Sequence, residues 1–199
     1  MMAHMGQVNL PNALTIVRIL LVPVLVLALL AKTGAGDVLA AAAFVAASVT
    51  DALDGYLARS RAQVTTFGKL MDPIADKLLI IAALLALVSL GRLQAWVALV
   101  IIGREFAVTG LRAAVGAGQG EIIAASGFGK LKTACQVVMV LVIIVHYRWT
   151  GHADAWWIYV IEYVTVLVTV LSGADYFRAA LRTPSGGGVE PGPAARVDR

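Results

Sequence analysis

Six long apolar segments occupy most of this 199-residue chain, and they constrain its fold more than any other feature. Each is close to the ~20 residues that an α-helix needs to cross about 30 Å of hydrocarbon. Only 14% of the residues are charged, whereas a soluble domain is about a quarter charged. We therefore predict an all-α integral membrane protein with six transmembrane helices joined by short loops. The predicted spans cover about residues 14–31, 38–58, 73–90, 94–115, 128–145 and 156–180.

The chain after the sixth span differs in composition from the rest. Residues 183–199 are rich in Pro and Gly and offer little that a core could bury, so we expect a disordered cytoplasmic tail. Residues 9–182 then form one transmembrane domain. The single cysteine, Cys135, excludes an internal disulfide and a cysteine-based metal site.

Basic residues are distributed unequally between the two sides that six spans define. Lys32, Arg92 and Arg148 fall in the loops of one side, and the other thirteen lie at or near the opposite side. Because Lys and Arg concentrate on the cytoplasmic side, we predict a multi-pass protein of the inner (plasma) membrane with both termini cytoplasmic. The net charge of +4 follows from this bias and requires no nucleic acid partner. The predicted outer ends of spans five and six carry an aromatic belt of Trp149, Trp156, Trp157 and Tyr159.

Four of the twelve acidic residues fall between positions 51 and 76, at the ends of apolar spans. A carboxylate at the centre of such a helix costs about 2.5–3.5 kcal/mol on insertion scales. Asp51 and Asp54 are three residues apart and share a helix face, as do Asp72 and Asp76, which are four apart. The short loop between these spans makes them antiparallel neighbours, so the two pairs converge at one depth. Oxygen ligands without His or Cys suit Mg²⁺, Mn²⁺ or Ca²⁺, and two such ions can clamp both oxygens of a phosphoryl displacement.

Each of these residues has a simpler interpretation when it is taken alone. Asp72 before Pro73 is typical of a helix N-cap followed by Pro at the first helical position. Asp51 and Asp54 are compatible with a hydrated helix end, and Gly68 is compatible with a loop. A chance meeting of four acids in an acid-poor chain is nevertheless the weaker explanation.

Two other classes of protein also accommodate the carboxylates. A cation transporter explains them equally well, but not their position at one end of the spans or the accompanying Gly55, Arg59 and Gly68. An inactive membrane scaffold is disfavoured because all four acids are present.

The acids and small residues together form a spaced pattern of eight fixed residues over 26 positions. The pattern consists of Asp51, Asp54, Gly55, Ala58, Arg59, Gly68, Asp72 and Asp76. It resembles the signature of the CDP-alcohol phosphatidyltransferases, with every specified position filled. The resemblance implies their six-helix transmembrane fold, commonly as a homodimer, with the four aspartates binding two divalent ions, Mg²⁺ or Mn²⁺. It also implies that Asp76 is the general base and that CDP is bound by Asp51, Gly55, Ala58, Arg59 and Gly68.

Motifs outside this signature are similar to those of bacterial phosphatidylglycerophosphate synthases. They lie at residues 9–15 with Arg18 and Pro23, at 103–106 with Arg112, and at 125–136. The resemblance implies transfer of the phosphatidyl group from CDP-diacylglycerol to sn-glycerol 3-phosphate, which gives phosphatidylglycerophosphate and CMP. Sibling enzymes carry related motifs, so a cardiolipin synthase or a phosphatidylinositol phosphate synthase remains an alternative.

Polar and basic residues at the cytoplasmic level would complete the site. Asn12 and Thr15 are assigned to the CDP site, since with Arg18 they form a polar stripe at the start of span one. Arg104 lies deep in span four beside Glu105, which favours a paired or functional role. The acceptor phosphate is assigned to Arg18, Arg104, Arg112, Lys130 and Lys132. Lys132, like Arg178 and Arg182, is also typical of ordinary flanking charge.

Overall fold

The structure is a computed structural model that describes the backbone of residues 10–61, 66–117 and 127–182. Side chains are described for residues 15–50, 77–114 and 129–181, and the predicted tail at 183–199 lies outside the described residues. Within these ranges the regular elements are six α-helices, which confirms the all-α class. They are α1 (Leu10–Leu30), α2 (Gly34–Arg61), α3 (Thr66–Ser89), α4 (Ala95–Ala117), α5 (Gly127–Thr150) and α6 (Trp156–Arg182).

The apolar surface of the bundle suggests association with a membrane. Gly129–Thr150 and Trp156–Leu181 are long and apolar enough to cross a membrane, and only 33% of each apolar window is buried. The core helix of a soluble protein would instead be mostly buried. Leu27 and Leu99 are 68% and 71% exposed, as expected of helix faces that contact lipid rather than water.

Two helices extend past the predicted spans at the signature. α3 begins at Thr66, so Asp72 and Pro73 lie inside the helix, and the alternative interpretation of Asp72 as an N-cap is wrong. Gly68 lies in the first turn of α3 rather than in a loop. The predicted boundaries followed the apolar runs of the sequence. A helix needs only its backbone hydrogen bonds to continue into more polar sequence.

The core lies where the six helices meet. α1 packs against α2 and α3, α2 also contacts α5, and α6 packs against α4 and α5. Small residues on α2 allow neighbouring helices to approach closely, because Ala40, Ala43 and Ala47 recur at helical spacing and are at most 5% exposed. Larger side chains fill the remaining space, including the fully buried Leu25, Leu29, Phe44, Leu84, Leu87, Ile101, Met139 and Ile143.

Gly36 lies where α2 begins against the end of α1. A Cβ atom at Gly36 would lie 2.4 Å from the backbone oxygen of Ala28, so only glycine fits there. The amide of Gly36 also donates a 3.0 Å hydrogen bond to Oγ1 of Thr33, which caps the start of α2.

Replacing Gly36 with Ala is expected to destabilise the bundle by about 1–3 kcal/mol, because the added methyl group meets backbone rather than a movable side chain. Gly110→Ala in α4 is the matched control. Nothing lies within 4 Å of a Cβ at Gly110, so that change should be neutral or stabilising by up to about 1 kcal/mol. The thermal unfolding midpoints of the two variants are measured in detergent. Equal midpoints would show that the close approach of α1 and α2 at Gly36 does not contribute to stability.

Candidate functional site

The signature acids lie on two consecutive helices. Asp51 is ten residues before the end of α2, and Asp76 is ten residues after the beginning of α3. Asp54 is seven residues before the end of α2, and Asp72 is six residues after the beginning of α3. Since α2 and α3 contact one another across the short connection at 62–65, an antiparallel arrangement would bring each pair of backbone positions to a similar depth.

Several predicted site residues have side chains outside the described part of the chain. They are Asn12, Asp51, Asp54, Ala58, Arg59, Asp72 and Asp76. Among the residues whose side chains are described, no group of three or more His, Cys, Asp or Glu is arranged to hold a metal ion.

A buried ionic cluster joins α4, α5 and α6 on the same chain. The side chain of Lys132 donates to Oε1 of Glu105, and the two residues are 7% and 8% exposed. Nη1 of Arg104 lies 3.4 Å from the same oxygen, and Nη2 of Arg104 donates a 2.8 Å hydrogen bond to Oγ of Ser172. The predicted pairing of Arg104 with Glu105 is therefore confirmed. Lys132 is an internal ion-pair partner, so the interpretation of Lys132 as ordinary flanking charge is wrong.

The cluster retains positive charge and unused donors. Arg104 and Lys132 share one carboxylate, and Nε of Arg104 is buried without a hydrogen-bond partner among the described residues. Buried donors in proteins are nearly always paired. An additional anionic ligand would satisfy both the charge and the free donor.

Further contacts fix α6 beside the cluster. A Cβ at Gly173 would lie 3.2 Å from Cγ of Arg104, so glycine makes room for the stem of that side chain. The guanidinium carbon of Arg112 lies 4.7 Å from the ring centroid of Tyr176, an attractive cation–π arrangement. Arg104 and Arg112 therefore both reach α6, at Ser172 and Tyr176.

The remaining predicted anion ligands differ in exposure. Thr15 and Arg18 of α1 are buried, at 2% and 1% exposed, whereas Lys130 is exposed. A guanidinium buried as deeply as that of Arg18 requires polar or charged neighbours. Its depth is compatible with a binding role but not with surface flanking charge.

Sequence reasoning missed a line of buried polar residues on α6. Glu162, Thr165, Thr169 and Ser172 are all at most 2% exposed, and their spacing of three, four and three residues is that of one helix face. Thr169 accepts a 3.4 Å hydrogen bond from the amide of Gln136 on α5. The signal was present in the sequence as polar residues recurring at helical spacing inside an apolar span.

Comparison with known proteins decides the family. The sequence model for CDP-alcohol phosphatidyltransferase matches residues 8–171. The chain belongs to this family. The matched residues include the whole signature on α2 and α3.

Members of the family from several bacteria are similar over most of the chain. A Bacillus subtilis (strain 168) protein named CDP-diacylglycerol–glycerol-3-phosphate 3-phosphatidyltransferase is 42% identical, over 85% of this chain and 93% of its own length. A probable phosphatidylglycerophosphate synthase of Mycobacterium tuberculosis (strain ATCC 25618 / H37Rv) is 43% identical, over 89% of this chain and 84% of its own length. A Rickettsia felis protein with the same name as the Bacillus protein is 37% identical, over 86% of this chain and 94% of its own length.

A double-mutant cycle on Glu105 and Lys132 tests the ionic cluster. Glu105→Gln leaves two cations without their shared carboxylate, so it should lower stability by about 3–5 kcal/mol. Adding Lys132→Met should restore part of that loss, because the stranded ammonium is removed. Unfolding midpoints in detergent provide the measurement. Lys130→Met, two residues away and exposed, should change stability by less than about 0.5 kcal/mol. Strictly additive effects of the two cluster substitutions would contradict the pairing.

Proposed function

We propose that this protein transfers the phosphatidyl group of CDP-diacylglycerol to sn-glycerol 3-phosphate, which gives phosphatidylglycerophosphate and CMP. The main support for this proposal is the complete signature, which lies on α2 and α3. The chain that carries it is 42% identical to a protein named for this reaction. The buried cluster around Glu105 adds a second site suited to an anion. A phosphorylated acceptor requires such a site, and phosphatidylglycerol or an inositol phosphate would be the acceptor in the sibling reactions.

The signature residues fit a pair of divalent cations. Their donor set is four carboxylates with neither imidazole nor thiolate, which is the set that Mg²⁺ and Mn²⁺ prefer. Asp51, Asp54, Asp72 and Asp76 would hold the two ions. When bound, the ions would neutralise the negative charge of the diphosphate.

The side chains of the signature would perform the proton transfer and bind the nucleotide. Asp76 would take the proton from the acceptor hydroxyl, whose oxygen attacks the phosphorus attached to diacylglycerol. The bond from that phosphorus to the bridging oxygen breaks, and CMP leaves. Arg59 would contact the diphosphate, and Gly55, Ala58 and Gly68 would leave room for the nucleotide. Asn12 and Thr15 of α1 would supply further hydrogen bonds to CDP.

The acceptor phosphate would bind beside the cluster of Glu105. Arg104 and Lys132 retain a net positive charge because they share one carboxylate, and Arg112 lies on the same helix as Arg104. Glu105 acts here as a positioning residue that holds both cations at one level. Arg18 and Lys130 would complete the pocket. Charge-assisted hydrogen bonds of this kind are about twice as strong as neutral ones.

The membrane arrangement forms part of the proposal. All six helices would cross the inner membrane, with the site and both termini cytoplasmic, and the protein would act as a homodimer. Lys32, Arg92 and Arg148, the minority of basic residues, line one cleft at the end of the bundle where α2 begins. The signature lies toward the other end of α2, which supports the predicted sidedness.

The reaction is tested by offering radiolabelled CDP-diacylglycerol with each acceptor in turn. Glycerol 3-phosphate should yield labelled phosphatidylglycerophosphate and CMP, and Asp76→Asn should reduce the rate by about 10²–10⁴-fold, as for loss of a general base. Asp154→Asn, an exposed acid outside the signature, should retain the parental rate.

Product formed only with phosphatidylglycerol would indicate a cardiolipin synthase instead. Product formed only with inositol phosphate would indicate a phosphatidylinositol phosphate synthase. Cation flux in proteoliposomes without CMP release by the parent protein would favour a transporter.

The acceptor pocket is tested separately with Arg112→Gln. Arg112 is exposed, and the cation–π contact with Tyr176 that it would lose contributes about 0.5–1 kcal/mol at such a site. Its loss should therefore leave the fold intact while removing a cation from the pocket. We expect the KM for glycerol 3-phosphate to rise about 10- to 100-fold, the effect of one lost hydrogen bond to a charged group, with the KM for CDP-diacylglycerol unchanged. Arg178→Gln on α6, also exposed, is the matched control. Equal changes in both KM values would argue against a separate acceptor site.

A further inference from the structure

A basic cleft of about 300 Å³ lies at the end of the bundle remote from the signature. Its lining includes Lys32, Thr33, Asp37, Arg92, Tyr147 and Arg148. Gly34, at the beginning of α2, also contacts it. Asp51 lies seventeen positions after Gly34 on α2, a distance of about 25 Å along the helix. The cleft is therefore separate from the proposed catalytic centre.

Arg92 lines this cleft, and its buried side chain is held by two contacts. Its Nη1 lies 2.5 Å from Oδ1 of Asp37, and the two side chains are 3% and 5% exposed. Its guanidinium carbon lies 3.6 Å from the ring centroid of Tyr147. Nε of Arg92 is buried and has no hydrogen-bond partner among the described residues. The carboxylate of Asp37 is thus occupied, while Arg92 retains an unused donor.

Two more cations line the cleft without a counter-charge. Lys32 and Arg148 are exposed, and in the described part of the chain no carboxylate pairs with either. Three cations and one carboxylate leave the cleft with two excess positive charges. Like charges repel when they are held this close, so the arrangement favours an anion between them.

Two features of the backbone lie beside these two cations. A Cβ at Gly34 would lie 2.8 Å from Nε of Arg148, so the absence of a side chain there lets the guanidinium rest on the start of α2. Lys32 has a φ of 53°, a left-handed conformation that residues other than glycine adopt infrequently. The first amides of α2 add the partial positive charge of a helix N-terminus.

We propose that this cleft binds an anionic phosphate group at the non-cytoplasmic surface of the membrane. The same chemistry is offered by the head group of an anionic phospholipid and by free phosphate. Trp149, which follows Arg148 in sequence, and Trp156, the first residue of α6, are 82% and 76% exposed. Exposed tryptophans are typical of the head-group level. This inference extends beyond the proposed transfer reaction and does not depend on it, apart from the orientation of the bundle.

Binding is measured with the full-length, delipidated protein in detergent. One arm uses native mass spectrometry with dioleoylphosphatidylglycerol, and the other uses calorimetry with inorganic phosphate. Lys32→Gln and Arg148→Gln should each weaken binding about tenfold, as for one lost charge-assisted hydrogen bond. Arg148→Lys should recover part of the affinity, and Arg178→Gln, exposed at the other end of the bundle, should leave it unchanged. The arm in which these effects appear identifies the source of the phosphate.

The proposal is overturned if both Gln variants bind lipid and phosphate as tightly as the parent, or if the parent binds neither. Because Lys32 and Arg148 are exposed, their variants should keep the parental unfolding midpoint, and two independent variants guard against a folding defect in one. Absence of phosphatidyl transfer would leave this binding result unaltered, so the two proposals fail separately.

Discussion

An ionised side chain inside an apolar helical bundle needs a partner of opposite charge, because the surrounding hydrocarbon supplies no water to solvate it. Two described ion-pair groups meet this requirement. Asp37 pairs with a single cation, Arg92, whereas Glu105 is shared by Arg104 and Lys132. The second arrangement leaves surplus positive charge, which makes it the better candidate for binding a phosphorylated substrate.

α2 connects the two ends of the molecule at which charge is concentrated. Its 28 residues begin at the basic cleft and end beyond the signature acids. Between them, Ala40, Ala43 and Ala47 are almost fully buried and allow close packing. A helix held along its length by such contacts is a rigid support, and rigid support is what the precise placement of carboxylates in a phosphoryl transfer site requires.

The sequence was sufficient to predict the number of helices but not their ends. Apolar runs predict which residues could face lipid, while α3 continues through Thr66, Gly68 and Asp72 because its backbone hydrogen bonds do not require apolar side chains. The local rule that places Asp-Pro at a helix start was overruled in the same way. Pro23 likewise lies inside α1, so a proline inside an apolar run was a poor marker of boundaries in this bundle.

The candidate site could be predicted only where its partners were neighbours in sequence. Arg104 and Glu105 are adjacent, so their pairing was readable. The contacts from Lys132 to Glu105 and from Arg104 to Ser172 span 27 and 68 residues, and they depend on how each helix is rotated about its axis. The same limit applies to the cleft. Charge bias identified Lys32, Arg92 and Arg148 as the minority side, but that rule describes only which side a basic residue occupies. Their convergence on one cleft, with Asp37 already paired to Arg92, follows from how the helices pack, and the anion proposed there would offset the repulsion between the cations.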